Sequence, residues 1–221
     1  MNRFLLLLGA GRDADVFSWG DGRVLRRYRK GTDATVEADV MRYVAEHGYP
    51  VPKVFHATGP DLVMERVHGP TMADAVVDGE LDVDGAGRML ADLHDRLHDI
   101  PSRCSPVGEE RMIHMDLHPL NVMVAPRGPV VIDWCNARDG EPRLDVAMSA
   151  LILAQVAIVA AGPRARLARA LLQSFVSAVR DDPSPRLSAA SALRRGDPNI
   201  TVPEAECLED AERLVRLVAA G

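Results

Sequence analysis

One segment of the chain gathers side chains that can move a proton and hold a hard cation. It is HMDLHPLNVMVAPRGPVVIDW, which carries His114, Asp116, Asn121 and Asp133. A carboxylate can accept the proton of a hydroxyl held against it. A second carboxylate and an amide oxygen suit magnesium, which takes one or two carboxylates and leaves its other positions to phosphates and water. Asp and Asn are also common turn residues, so each alone reads as chain punctuation. The set of them, ordered around a hairpin, points to chemistry.

The positioning elements are two mirrored apolar strands, Val122-Met123-Val124 and Val130-Val131-Ile132, around a turn from Ala125 to Pro129. Asn121 precedes the first strand and Asp133 follows the second, each six residues from Arg127. Antiparallel pairing about that centre predicts the two side by side. Asp116 lies one loop upstream.

The pattern His114-x-Asp116-x4-Asn121, followed by Asp133 after a hairpin, resembles the catalytic segment of the aminoglycoside phosphotransferase and choline kinase family, which has a protein-kinase-like fold. The resemblance implies transfer of the ATP γ-phosphate to a hydroxyl of a small molecule, with Asp116 as base and Asn121 and Asp133 as magnesium ligands. His114 would brace the loop, and His118 lies inside it within reach of substrate. GTP stays open beside ATP.

The same resemblance extends toward the N-terminus. GAGRDADVF is similar to the loop over the nucleotide phosphates, where Gly9 and Gly11 allow close approach of backbone N–H groups. Ala14 takes the place of the third glycine, and a plain hairpin turn is an equal reading. Arg26 stands where the family places a phosphate-pairing lysine, although a solvated edge-strand face is the alternative. Glu37 precedes Val40 and Met41 by three and four residues and so joins the apolar stripe of its helix. A carboxylate facing a core needs a cationic partner, and the family's partner is the residue at 26. LVMERVHG resembles the inter-lobe hinge, with the backbone of Glu65 and Val67 toward adenine and Met64 at the rear. Asp145 matches a family aspartate that holds the catalytic loop from the next helix; a helix N-terminal acid, favoured by the dipole, is the other reading.

The wider pattern fits an α+β class: a two-lobe fold with a small mixed β-sheet lobe over residues 1–67 and a mostly helical, shortened lobe over 68–221. Strands are expected at Phe4 to Leu8, Asp15 to Trp19, Arg23 to Tyr28, Lys53 to His56 and Leu62 to Arg66, separated by glycine turns. A helix from Ala34 to His47 has Thr32 or Asp33 to cap it and Gly48 to end it. Beyond Thr71 helical spacing covers Asp84 to Asp99, Leu144 to Ala161, Pro163 to Val179 and Pro203 to Ala220, with the hairpin as the one β element and Asp181 to Arg186 as a loop. The apolar run from Val146 to Gly162 has 17 residues. It falls short of the ~20 a membrane span needs and reads as a core helix. The opening Arg3 to Leu8 is too short for a secretory signal and lacks a cleavage site.

A net charge of -6 argues against a dedicated nucleic-acid binder. The three scattered cysteines form neither a zinc pattern nor a disulfide framework, so a cytoplasmic setting is expected. His94 and His98 are one helical turn apart, the spacing of a metal pair; with no third ligand evident they read as packing or surface. The acidic run from Glu204 to Glu212 reads as a solvated helix face. Only 13 residues run from Asp133 to Asp145, with no room for a phosphorylatable activation loop, and Met115 replaces the arginine that would read its phosphate. A small hydroxylated metabolite or antibiotic is therefore the expected acceptor. The rival is a catalytically weak nucleotide-binding module that regulates a partner, which Arg26 in place of lysine favours.

Overall fold

The computed structural model describes residues 5–11, 13–104 and 108–221. Its N-terminal part is a sheet of β1 (Leu7–Ala10), β2 (Ala14–Gly20), β3 (Arg23–Tyr28), β4 (Val54–Thr58) and β5 (Asp61–Glu65) in the order β1-β2-β3-β5-β4. Every pairing is antiparallel, where a mixed sheet was expected. The β2–β3 turn runs through Gly20, Asp21 and Gly22, all at positive φ (84, 49 and 70°). Only glycine takes up that conformation freely, which is why the GDG punctuation marked it. The first strand begins later than expected, and Phe4 lies outside the described residues.

Helix α1 (Ala34–Glu46) lies against this sheet. Asp33, not Thr32, caps it by accepting the Thr35 N–H, and Gly48 at φ 75° follows its end. Ala34, Ala38, Val40, Met41 and Val44 are buried along one face, and Glu37 is buried with them.

The connection leaving β5 docks onto the helical part through Gly69 and Pro70. Gly69 has φ 138°, and a Cβ there would run into the Val124 carbonyl. This close approach lets Pro70 O accept the Val124 N–H at 2.8 Å. Then follow α2 (Met72–Val77), α3 (Val83–His98), a ribbon of β6 (Arg111–Ile113) with β9 (Arg138–Gly140), and the hairpin of β7 (Val122–Ala125) and β8 (Gly128–Val131). The chain closes with α4 (Pro142–Val159), α5 (Gly162–Ala178), α6 (Leu187–Arg195), α7 (Val202–Glu206) and α8 (Leu208–Ala219).

Helix α4 is the hub, packed against α5, α6 and α8. It is long and apolar enough to cross a membrane, but 61% of its span is buried inside the fold, as the core reading expects. Gly87 of α3 faces Ser174 of α5 at a distance that leaves no room for a Cβ, so the two helices pack closely.

Four features depart from expectation. The β6–β9 ribbon has strands of three residues, too short to show a period. Helix α2 has only six residues. Helix α6 buries Leu187, Ala190, Ser191 and Arg194, a stripe too polar to stand out. The last helix breaks at Cys207 into α7 and α8, the first of which starts on a capping box of Thr201 and Glu204 with Pro203 in its first turn.

Candidate active site

The expected hairpin forms, but one residue out of register. Val122 pairs with Val131 and Ala125 with Gly128, so the turn is centred between Pro126 and Arg127, and Ile132 N donates to Asn121 O at 2.9 Å. Asn121 thus lies opposite Ile132 and not Asp133. A one-residue slip sends a strand side chain to the other face. The backbone of Asp133 offsets it by entering the left-handed region, at φ 65° and ψ 64°.

From there Asp133 Oδ1 accepts Arg26 Nη2 at 2.6 Å and the Cys135 thiol at 3.1 Å. Arg26 on β3 forks: its Nη1 donates to Glu37 Oε1 on α1 at 3.2 Å. Glu37 also accepts the Tyr28 hydroxyl at 2.6 Å and the Trp134 N–H at 3.1 Å. The carboxylate therefore ties α1 to β3 and to the residue after Asp133. Burial pushes the Glu37 carboxyl up by more than the Arg26 charge and the Tyr28 hydroxyl pull it down. For Asp133 burial also acts upward, but the Arg26 charge and hydrogen bond prevail and hold it below the usual carboxylate range.

The loop carrying Asp116 is braced from behind. Asp145, fully buried near the start of α4, accepts the Met115 N–H at 2.6 Å on Oδ1 and the His114 N–H at 3.0 Å on Oδ2. His98 Nε2 lies 3.1 Å from the same Oδ2. Burial raises the Asp145 carboxyl, yet the two histidines beside it more than compensate and leave it well below the ordinary value. His114 bridges the loop to the hairpin. Its Nδ1 accepts the Asp116 N–H at 3.3 Å. That leaves Nε2 as the protonated nitrogen, which donates to Ile132 O at 3.1 Å. Burial lowers the pKa of this ring, in keeping with a neutral brace.

Asn121 spends its amide donors on Asp116, reaching the carbonyl at 2.8 Å and Oδ2 at 3.2 Å. Its amide oxygen has no partner among the described residues, and neither has Asp133 Oδ2. These are the two oxygens a divalent cation would need, so the donor set fits magnesium. His118 Nε2 lies 3.5 Å from Asp116 Oδ1.

A cleft of about 960 Å³ runs between the sheet and the helices. It is lined by Gly11, Arg26, Met64, Glu65, Val67, Asp116, His118, Asn121 and Asp133, which are nine of the expected site residues. Glu37, His114 and Asp145 sit behind it, buried. At the hinge the Glu65 N–H is taken by Lys53 O and the Arg66 N–H by Gly22 O, whereas the Val67 N–H has no partner among the described residues. The Glu65 carboxylate pairs with Arg127 at the hairpin tip, so its side chain fastens the hinge strand to the hairpin. Gly11 closes the β1–β2 turn through its N–H to Ala14 O at 2.8 Å.

Several participants went unread in the sequence. Tyr28 and Trp134 complete the Glu37 site, and Arg127 holds Glu65. The histidine pair on α3 does have a third neighbour, Asp145, with ligand atoms of the three within 4.8 Å. Both Asp145 oxygens are already engaged by backbone N–H groups, so the trio is read as a brace. Glu204 is no solvated face: it lines the cleft and pairs with Arg194 at 3.4 Å.

Residues 5–112 and 103–186 match the model of the phosphotransferase enzyme family. No curated protein matches the chain. Among solved structures, a choline/ethanolamine kinase family protein from Mesorhizobium loti superposes with a TM-score of 0.60 at 15% identity, over 98% of this chain and 92% of that one. An amicoumacin kinase, solved with AMP-PNP and Ca2+, gives 0.60 at 12% identity over 97% and 88%. An ADP-bound aminoglycoside phosphotransferase gives 0.55 at 14% identity over 96% and 92%. At these identities the likeness is one of fold.

Proposed function

The chain belongs to the phosphotransferase enzyme family, and we propose that it is a small-molecule kinase that moves the γ-phosphate of ATP onto an alcohol. The observation that carries this reading is the convergence of Asp116, Asn121, Asp133 and Arg26 on one cleft whose rim is the hinge at Met64 to Val67. Adenine would lie against Met64 and meet free backbone groups at Val67. Arg26 would hold phosphate oxygens with whatever part of its fork leaves Asp133. Asn121 and Asp133 would hold magnesium, which supplies charge neutralisation at the phosphates when bound. Asp116, kept in place by Asn121, would orient the acceptor hydroxyl and take its proton. We place the protein in the cytosol, where its unpaired cysteines Cys104, Cys135 and Cys207 stay reduced.

The rival reading, a nucleotide-binding regulatory module, draws on the 2.6 Å contact of Arg26 with Asp133, because an arginine there competes with the cation. Two variants separate the readings. Asp116→Asn should keep the Mg-ATP stabilisation and lower ADP release in an acceptor screen by ~10²–10⁴. Asp133→Asn should weaken Mg-ATP binding itself. Saturating Mg-ATP, at ~100 times its dissociation constant, adds about 2.7 kcal/mol, or about 5–10 °C in Tm for a chain of this size. A melting curve that neither Mg-ATP nor Mg-GTP moves rejects both readings. A parent that binds nucleotide but phosphorylates nothing in a broad screen favours the module.

A further inference from the structure

From the lining of the cleft beyond Asp116 we infer that the acceptor is an uncharged or anionic alcohol with a sizeable apolar body, and not a polyamine sugar. The inference rests on the kinase reading and concerns the same site.

Two observations carry it. The first is the wall. Helix α2 and the 3₁₀ turn of Pro119–Asn121 bring Val77 and Leu120 to the cleft, and α4 and α5 bring Ile152, Val156, Leu167 and Leu171. Val77 is 64% exposed and Leu120 49% exposed, so a large apolar surface stands open next to the proposed base.

The second is the state of the carboxylates. A ligand with several ammonium groups must shed water from each of them, and only carboxylates free to pair can repay that loss. Here the cleft acids other than Asp116, the proposed base, already have partners. Asp133 is held by Arg26 at 2.6 Å, and Glu65 by Arg127. Asp197 and Glu204 share Arg194 at 3.0 and 3.4 Å. Asp13 accepts Asn199 at 3.3 Å, with Lys30 at 4.0 Å. Arg164, exposed on the rim, has no ion-pair partner among the described residues and repels a polycation while attracting an anion. The acceptor end is thus apolar with a cationic edge, a surface that favours hydrocarbon over ammonium.

Binding measurements on the intact protein test this without knowledge of the natural acceptor. Hexanol, octanol and decanol are titrated calorimetrically, with and without Mg-AMP-PNP, beside neamine as a polyamine sugar. Affinity should rise about two- to fourfold per CH₂ added, up to the worth of a buried methylene, while neamine binds at least ~10-fold more weakly than decanol. Leu167→Asp should flatten the alcohol series. Val77→Glu does the same from an exposed position that cannot upset the fold. A flat series for the parent, neamine binding as tightly as decanol, or a series indifferent to both substitutions overturns the inference. The kinase reading fails separately. A protein that ignores Mg-ATP but discriminates among alcohols loses that reading and keeps the apolar site. One that takes Mg-ATP but shows a flat series keeps the reading and loses the inference.

Discussion

Arg26→Ala tests the centre of the site most directly. The guanidinium is 11% exposed and Glu37 only 4%, so the substitution leaves a buried carboxylate without its cation. Breaking such a pair costs about 3–5 kcal/mol. Two other donors, the Tyr28 hydroxyl and the Trp134 N–H, remain on Glu37, which argues for the lower end, about 3 kcal/mol. Asp133 is 35% exposed and can recruit water, so its loss adds little. Urea unfolding followed by circular dichroism reads the effect as a lower midpoint with an unchanged slope.

A cycle with Glu37→Gln isolates the pair. The amide keeps an oxygen for Tyr28 or Trp134 but carries no charge for arginine to neutralise, so Arg26→Ala should cost much less in that background. The coupling should reach about 1–3 kcal/mol. Additivity within ~0.5 kcal/mol would refute the clamp. Arg26→Lys supplies the functional half. One ammonium cannot span Glu37 and Asp133 as two guanidinium nitrogens do. The variant should therefore retain most of the stability while freeing Asp133, and its Mg-ATP affinity should change by a different factor from its urea midpoint.

The other predictions concern the brace and its protons. Asp145→Ala strips acceptors from the His114 and Met115 N–H groups, and should cost about 3–5 kcal/mol. It should also expose those two amides to hydrogen exchange ahead of the α4 core; unchanged protection at both would remove Asp145 from the loop's support. The pH dependence follows from rings and carboxyl that titrate away from their ordinary values. Burial lowers the pKa of His94 and His114, so below about pH 6.5 the unfolded chain binds protons that the folded one refuses, and stability falls as the pH drops toward about 5. Asp145, burial notwithstanding, is held low by His94 and His98, so its contribution persists above about pH 3.9 and is lost only in stronger acid. Glu37, pushed up by burial, works in the opposite direction as it takes up a proton, so the comparison is with His94→Leu, which should lose less of its urea midpoint than the parent between pH 7 and 5; an equal loss in the two would contradict this.

Much of this architecture was legible because local chemistry and long-range need coincide. The spacing of His114, Asp116, Asn121 and Asp133 is a local pattern, and Glu37 announced itself by placing a charge on an apolar stripe. What stayed hidden depends on geometry the letters do not encode. Whether a five-residue link makes a wide loop or a tight turn decides the hairpin register, and the tight turn moved Asp133 off the predicted pairing. Tyr28 and Trp134 look like ordinary core aromatics until their donors are seen on Glu37. His98 was set aside because its partner, Asp145, lies 47 positions away. Glu204 was read by composition as solvent-facing, when its role depends on Arg194 of a helix too polar to be noticed.

The two buried carboxylates share a logic. Met115 and Asp133 are the two non-glycine residues at positive φ, each 65°, in the described part of the site. A side chain in that conformation costs about 1–2 kcal/mol, and it persists only where surrounding contacts over-determine it. At Met115 the overriding contact is its own N–H on Asp145. At Asp133 it is the next N–H, that of Trp134, on Glu37. Each strained turn is what aims a neighbouring proposed functional acid: Met115 precedes Asp116, and Asp133 aims itself. The clamps lie outside the cleft and touch no reacting atom, yet their acceptor oxygens hold the backbone that the chemistry requires. An apolar residue of equal volume could pack as well in either place and would still fail, because backbone N–H groups need an acceptor and not merely a neighbour.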